Sequence, residues 1–358
     1  MKTIQTPPLP VVTRPIVLIG AGGIVKDAHL PAYRKAGFGT EVIFDLDRQK
    51  AAALAAEFGI PKVAATLDEA IALASADAVF DIALPPGAIM ATLEKIPAGR
   101  GVLIQKPMGE DIGQAAVIHA LCRRKKLTAA VNFQMRYAPY VIAARHLIDA
   151  GEIGEVHDME VRVTVDTPWH LWPFFETLQR VEMAIHSIHY LDVVRSFLGN
   201  PRGIYAKSVK HPFTQKIAST RSAIILDYGD TLRANIQTNH GHAYGLEHQE
   251  SYIKWEGTKG AIKARMGVLM DYPKGLPDQL QVCIFQDDKP APWTEIPIEG
   301  SWFPDGFIGT MASVMIALED PSRPAPTGVE DAFQTMALVE AAYESSASGA
   351  TPISFTRP

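Results

Sequence analysis

The sequence predicts an α/β domain built on a parallel sheet, followed by an α+β domain built on a larger, mostly antiparallel one. Three observations carry this. The 358 residues exceed one ordinary domain, so two domains sharing a cleft are expected. From Arg14 to Asn132, short and fully apolar runs alternate with helix-period stretches, as strands covered by helices on both faces require. After about Phe133, apolar residues begin to alternate with polar ones, as at Val161, Val163 and Val165, the period of a strand with one solvated face. The first domain is therefore placed at residues 1–132 and the second at 133–358.

In order, residues 16–19 read as a strand, 28–36 as a helix, 42–45 as a second strand and 51–58 as a helix ended by Gly59 and Pro61. Segments 68–74, 78–84, 101–105, 114–125 and 128–132 continue the alternation. A helix over 139–150, stopped by Gly151, opens the second domain. Strands are expected at 156–165, 204–209, 222–228, 232–238, 251–255, 261–264 and 281–285. Turns such as Tyr228-Gly229-Asp230 and Glu256-Gly257-Thr258 suggest hairpins. Two helices, 308–318 and 330–345, close the chain.

Composition narrows the function. Hydrophobic residues at 47% and charged residues at 20% suit a globular chain with sizeable cores. Thirty-four basic against 39 acidic side chains give a net charge of -5, so no basic field is expected to hold nucleic acid or an anionic membrane. Cys122 and Cys283 have no neighbour to complete a zinc or redox motif and read as buried hydrophobes in a reducing compartment. Residues 1–14, with Pro7, Pro8 and Pro10, lack the apolar core of a signal peptide. Other apolar stretches are interrupted by charge or proline, as by Asp81 and Pro85. A cytoplasmic protein is expected.

The strongest local signal is Gly20-Ala21-Gly22-Gly23-Ile24-Val25, between a strand and a helix, as a dinucleotide (Rossmann) fingerprint must be. Gly20 permits the tight turn, and Gly22 lets backbone approach a pyrophosphate at the helix N-terminus. Val25 stands where the pattern has glycine. The next strand ends in Asp45, where a carboxylate can accept bonds from ribose hydroxyls and would repel a 2'-phosphate. NAD is therefore expected over NADP, with Arg48 as the nearby cation that could meet a phosphate. The alternative makes the glycines an ordinary turn and Asp45 a helix cap. Leu84-Pro85-Pro86-Gly87 and Gln105-Lys106-Pro107 end two further strands and should border the nicotinamide, since ligands lie at the carboxyl ends of such sheets. Pro107 disfavours a helical Lys106.

Between Arg180 and Gly199, Glu182, His186 and His189 fall at spacings of four and three, which put them near one side of one helix. Three readings stay open: packed histidines, a metal site, or a histidine acting as general acid/base. The HExxH pattern of zinc hydrolases is absent, and no metal is expected.

Together the fingerprint with Ala28-His29-Leu30-Pro31-Ala32, then Gln105-Lys106-Pro107, then His189-Tyr190-Leu191-Asp192-Val193-Val194-Arg195 with Gly199 resemble the glucose-fructose oxidoreductase, inositol dehydrogenase and rhizopine catabolism protein (Gfo/Idh/MocA) family. The resemblance covers nearly the whole chain. It implies a Rossmann domain, an open-faced antiparallel sheet that holds substrate and often builds a homodimer or homotetramer interface, and nicotinamide-dependent oxidation of sugars or polyols. Lys106 corresponds to the lysine beside the nicotinamide, and His189 to the acid/base. Two departures stand out. Gln105 replaces a glutamate, and Ile185 occupies a position where many members carry an aspartate, so His186 is the candidate for that substrate contact and Glu182 a possible substitute.

Other candidate substrate contacts are Asn132, Gln134 and Arg136 after the last Rossmann strand, and Trp169 with His170 and Trp172. Aromatic faces and amides suit a polyhydroxylated ligand, although the tryptophans read equally as packing. His240 and His242 are weaker candidates. The expected reaction is oxidation of an aldose, such as the pentose D-apiose, at its anomeric carbon to a lactone by hydride transfer to NAD. The alternatives are a hydrolase or lyase with redox-cycling NAD, and a non-catalytic NADH-responsive binding protein.

Overall fold

The computed structural model describes residues 3–287 and 289–351. Six parallel strands form the first sheet: β1 (Ile16–Ile19), β2 (Thr40–Phe44), β3 (Lys62–Val63), β4 (Val79–Ile82), β5 (Gly101–Ile104) and β6 (Thr128–Val131), in the order β3-β2-β1-β4-β5-β6. Every residue of β1, β4 and β5 is buried, the consequence of helices on both faces. Those helices include α1 (Leu30–Ala36), α2 (Arg48–Phe58), α3 (Leu67–Ala72), α4 (Pro86–Lys95) and α5 (Ile112–Arg124). Chain direction around the sheet reverses between β1 and β4, where open α/β sheets place their ligand crevice.

The second unit begins with α6 (Pro139–Asp149) and carries nine strands: β7 (Val156–Thr164), then, beyond α7 (Ile188–Leu198), β8 (Gly203–Val209), β9 (Arg221–Asp227), β10 (Arg233–Asn239), β11 (Glu250–Gly257), β12 (Gly260–Arg265), β13 (Gln279–Gln286), β14 (Lys289–Pro290) and β15 (Thr294–Ile296). The order is β14-β13-β12-β11-β7-β10-β9-β8, with β15 on β13. Every pairing is antiparallel except β7 with β10. Val161 stands between Ile236 and Ile253, and these three point with Met159, Ile224 and Trp255 into the core. The opposite face carries Glu160, Arg162, Gln237 and Lys254.

Two helices, α8 (Trp302–Glu319) and α9 (Val329–Ser348), end the described fold. Although α8 lies in the second half of the sequence, Phe307, Met311 and Met315 pack with Ile16, Tyr33, Val79 and Leu103 of the first sheet and its helices. A boundary near residue 132 therefore separates the sheets but not the cores. Three local differences from expectation concern helices. The first helix starts as a wider π-turn over Val25–His29, α4 is unexpected and begins at Pro86, a proline tolerated at the first helical position, and α8 starts six residues before the expected 308. Among the described residues no helix is long and apolar enough to cross a membrane.

Candidate active site

The crevice is built first from the glycine turn. Gly20 has φ +113° and donates its N–H to Phe44 O at 2.7 Å; a Cβ there would strike Ala83 O. Gly22 is exposed and has open space where a side chain would stand, while Gly23 has only Asp27 at that distance. Ile24 is half-buried. Val25 is completely buried with Leu18, Leu30 and Ile43, and the π-turn starts there. At the end of β2, Asp45 accepts the N–H of Ala21 and of Asp47, each at 2.7 Å. Asp47, not Asp45, caps α2, accepting from Gln49 and Lys50, and Arg48 is exposed beside it. An open backbone cradle next to a fixed carboxylate fits a pyrophosphate and a ribose diol, so these residues suit NAD.

Leu84 flanks Gly20, and Pro85 leads in extended conformation into α4. After β5, Gln105 Oε1 accepts the Lys106 N–H at 3.0 Å. The Lys106-Pro107 peptide is cis. Lys106 then crosses to the other domain, where its Nζ donates to Ile185 O at 3.0 Å. Burial lowers this ammonium from its ordinary value to about 8.

Ile185 lies in a π-turn, Glu182–Ser187, that runs directly into α7. Such turns occur often at functional sites. His189, on the first turn of α7, is 6% exposed and sets its ring edge-on to Trp302 at 5.4 Å. Burial and then the charge of Lys106 hold its basicity well below the usual imidazole range. His186 is likewise lowered by burial, then by His240, Lys106 and His189. Thus one cation from the first domain acts on two imidazoles of the second.

Trp169 stands edge-on to His186 at 5.5 Å and donates Nε1–H to His240 O at 3.1 Å. The His240 ring lies 4.4 Å from that of His186. Trp172 packs against Tyr272, His170 is exposed, and His242 packs on Tyr244.

Two expected substrate contacts are engaged elsewhere. Asn132 is fully buried, with Nδ2 3.3 Å from His29 Nε2 and Oδ1 accepting from Thr310 at 2.8 Å. His29 and Tyr33 in turn bind Asp81. Arg136 makes a two-pronged pair with Asp192, both contacts 2.6 Å, and also meets Asp331. These groups satisfy interior bonds between elements, so neither is carried forward as a sugar contact. Gln134 is 1% exposed and its Oε1 has no partner. Glu182 binds Ser187 and Thr238 and does not join His186 and His189 in a ligand set; among the described residues no three acidic, histidine or cysteine side chains have metal-site placement. Trp302 was not among the expected residues: it joins His189 across more than a hundred positions, a relation no local spacing encodes.

Two family models match the chain: an oxidoreductase family NAD-binding Rossmann fold over residues 14–133, and an oxidoreductase family C-terminal alpha/beta domain over 145–355. Curated relatives include a D-xylose 1-dehydrogenase (NADP(+)) of Haloferax volcanii, 26% identical over 71% of this chain and 76% of that one. A D-apiose dehydrogenase of Rhizobium rhizogenes is 24% identical over 73% of each. An inositol 2-dehydrogenase of Rhizobium meliloti is 24% identical over 92% of this chain and 95% of its own. Among solved structures, an Agrobacterium radiobacter oxidoreductase in complex with NAD+, L-tartaric acid and magnesium is 22% identical and covers 94% of this chain and 97% of its own, with TM-score 0.77. Levoglucosan dehydrogenase with NADH and levoglucosan is 18% identical over 94% and 98%, TM-score 0.75. With both halves matched and the whole architecture shared, the chain belongs to the Gfo/Idh/MocA oxidoreductase family, with an NAD-binding Rossmann domain at its N-terminal end.

Proposed function

We propose that this oxidoreductase is an NAD-dependent sugar dehydrogenase that oxidises an aldose, such as the pentose D-apiose, at the anomeric carbon to its lactone. The observation that carries the reading is the Lys106 Nζ to Ile185 O bond of 3.0 Å, which ties a lysine at the nicotinamide end of the crevice to the segment bearing His186 and His189. Gly20, Gly22, Gly23, Ile24 and Val25 form the pyrophosphate turn, Asp45 and Arg48 flank the ribose, and Leu84, Pro85 and Gln105 border the nicotinamide. Bound NAD supplies the hydride acceptor. His189, neutral near pH 7 because burial depresses it, takes the proton of the anomeric hydroxyl as the C–H hydride leaves the same carbon. Lys106, charged below about pH 8, donates a hydrogen bond to that oxygen and favours the developing alkoxide. The carbon loses one hydride and its hydroxyl one proton, leaving the lactone carbonyl. His186, Trp169 and Gln134 hold the remaining hydroxyls and ring.

The test is a panel of free pentoses and hexoses with NAD or NADP, read by reduced cofactor. Accumulating NADH with one aldose, lost in His189→Asn while NAD binding persists, is expected. Turnover of a glycoside with no net NADH would replace this reading by redox-cycling hydrolysis or elimination. Unaltered oxidation in His189→Asn would remove His189 from the chemistry. The open outer face of the second sheet is proposed as the contact of a homodimer or homotetramer.

A further inference from the structure

Glu182 opens the π-turn before α7 and is completely enclosed, yet the proposed chemistry leaves it unused. Its Oε1 accepts Ser187 Oγ at 2.8 Å and Thr238 Oγ1 at 2.7 Å. Thr238 Oγ1 already accepts the Ser222 N–H at 3.0 Å, and Ser222 Oγ lies 2.9 Å away, so the one Thr238 proton is directed to Glu182. An oxygen receiving two hydroxyl protons is placed as an acceptor, which suits a carboxylate. Burial opposes this and raises the group's pKa, while the hydroxyl bonds act the other way.

His240 Nε2 stands 3.8 Å from the same Oε1, too long for a hydrogen bond and close enough for charge to act. On its other side the His240 ring lies 4.4 Å from His186, inclined by 33°. Thr167 Oγ1 is 3.2 Å from His240 Nδ1, and Trp169 holds the His240 carbonyl. Glu182 Oε2, His240 Nε2 and His186 Nδ1 are buried atoms without partners. The row thus runs from half-buried His186 at the cleft inward to an enclosed carboxyl group.

Two imidazoles this close disfavour a double positive charge. Burial lowers His240 to about 4 and, before the neighbouring cations act, lowers His186 well below its ordinary range, so both rings are neutral near pH 7. A neutral imidazole has one donor and one acceptor nitrogen, whereas imidazolium only donates. We propose that Glu182 and His240 are positioning residues that hold the His186 ring in one orientation and one tautomer, as the group that reads a substrate hydroxyl beside Ile185. What His186 touches rests on the dehydrogenase reading; how it is held does not.

The test uses the full chain with NAD added and histidine labelled with nitrogen-15, reading imidazole nitrogens by two-bond proton–nitrogen correlation at neutral pH. Single His→Asn variants assign the signals. His186 is expected as one neutral tautomer in the wild type. In Glu182→Gln and in His240→Phe it is expected to show mixed tautomers, with His189 unmoved. His240→Phe keeps a flat ring beside His186 while removing the nitrogen near Glu182, so it decides the matter if Glu182→Gln does not fold. A charged His186 in the wild type, or His186 signals unchanged in the variants, overturns the proposal. With the aldose that the wild type oxidises, KM should rise roughly 10-fold and kcat stay within about twofold, the loss of one oriented polar contact. A fall in kcat at constant KM also overturns it. If no sugar in the panel is oxidised, the dehydrogenase reading fails, and the nitrogen spectra alone decide this one.

Discussion

At the end of β2, both oxygens of the Asp45 carboxylate are fixed by main-chain N–H groups of Ala21 and Asp47, so the anion cannot swing away from an incoming 2'-phosphate. Asp45→Ser should therefore lower the NAD over NADP ratio of kcat/KM by about 100-fold, the scale of an unpaired buried polar group, with exposed Arg48 free to meet the phosphate. Steady-state kinetics with both cofactors checks this. The two proton-handling groups give a second prediction. On the proposed chemistry, activity needs charged Lys106, lost as pH rises through about 8, and neutral His189, lost only well below the usual imidazole range. The pH profile of kcat/KM should thus be flat around neutrality and fall above about 8; Lys106→Met should remove that limb and lower kcat by roughly 100-fold. The positions of Gly20 and Asp45 at the ends of β1 and β2, and of Lys106 after β5, could be read from the sequence because motif and spacing are local properties. The interior bonds of Asn132 and Arg136 could not be read there, because their partners Thr310 and Asp331 lie 178 and 195 residues away.

Between elements, α8 approaches the turn Gln134–Tyr137 through Gly306 and Gly309. A Cβ on Gly309 would run into the Tyr137 ring, and one on Gly306 into Gln134 O. Gly309→Ala gains about 1 kcal/mol of helix propensity, but overpacking costs about 1–3 kcal/mol and the obstacle is a buried ring backed by α8 itself. Net destabilisation is expected, read as a lower urea midpoint at unchanged slope. The longer strands of both sheets could be read from sequence because burial on one face or two leaves distinct periods; β3, β14 and β15 are too short for this, since two or three residues carry no period. The site of α8 could not: Phe307, Met311 and Met315 announce a buried helix without saying which sheet it covers. A comparable case is Arg136, whose guanidinium joins Asp192 of α7 to Asp331 of α9. Removing it leaves Asp192, 1% exposed, without its paired charge. Arg136→Met should cost about 3–5 kcal/mol in chemical unfolding, with NAD affinity in the folded fraction retained.

For the whole molecule, the second sheet leaves one broad face open, and its edge decides how copies could meet. Strand β8 is terminal in the sheet, and an unpaired edge invites strand addition. Here α9 obstructs it: the Ala206 N–H donates to Ser345 Oγ at 2.9 Å and the Ser208 N–H to Ser346 Oγ at 3.0 Å, so two donors that would recruit another strand are already used. The proposed association is thereby directed to the face. There Tyr205 and Ile225 are direct cross-strand partners, 65% and 52% exposed, and pocketed apolar residues of this kind lose their water on contact with a second copy. The neighbouring surface is self-complementary in charge, with Arg162 bound to Glu250 and Lys254 to Glu256, so it can face its own image without a net field. Light scattering of the wild type should give two or four times the 39.0 kDa chain mass. Tyr205→Glu with Ile225→Lys should lower it to one or two chains while NAD binding persists, because neither residue contributes to the buried core. An unchanged mass in the double variant would move the contact off this part of the face, and a monomeric wild type would leave the open sheet without a partner of its own kind.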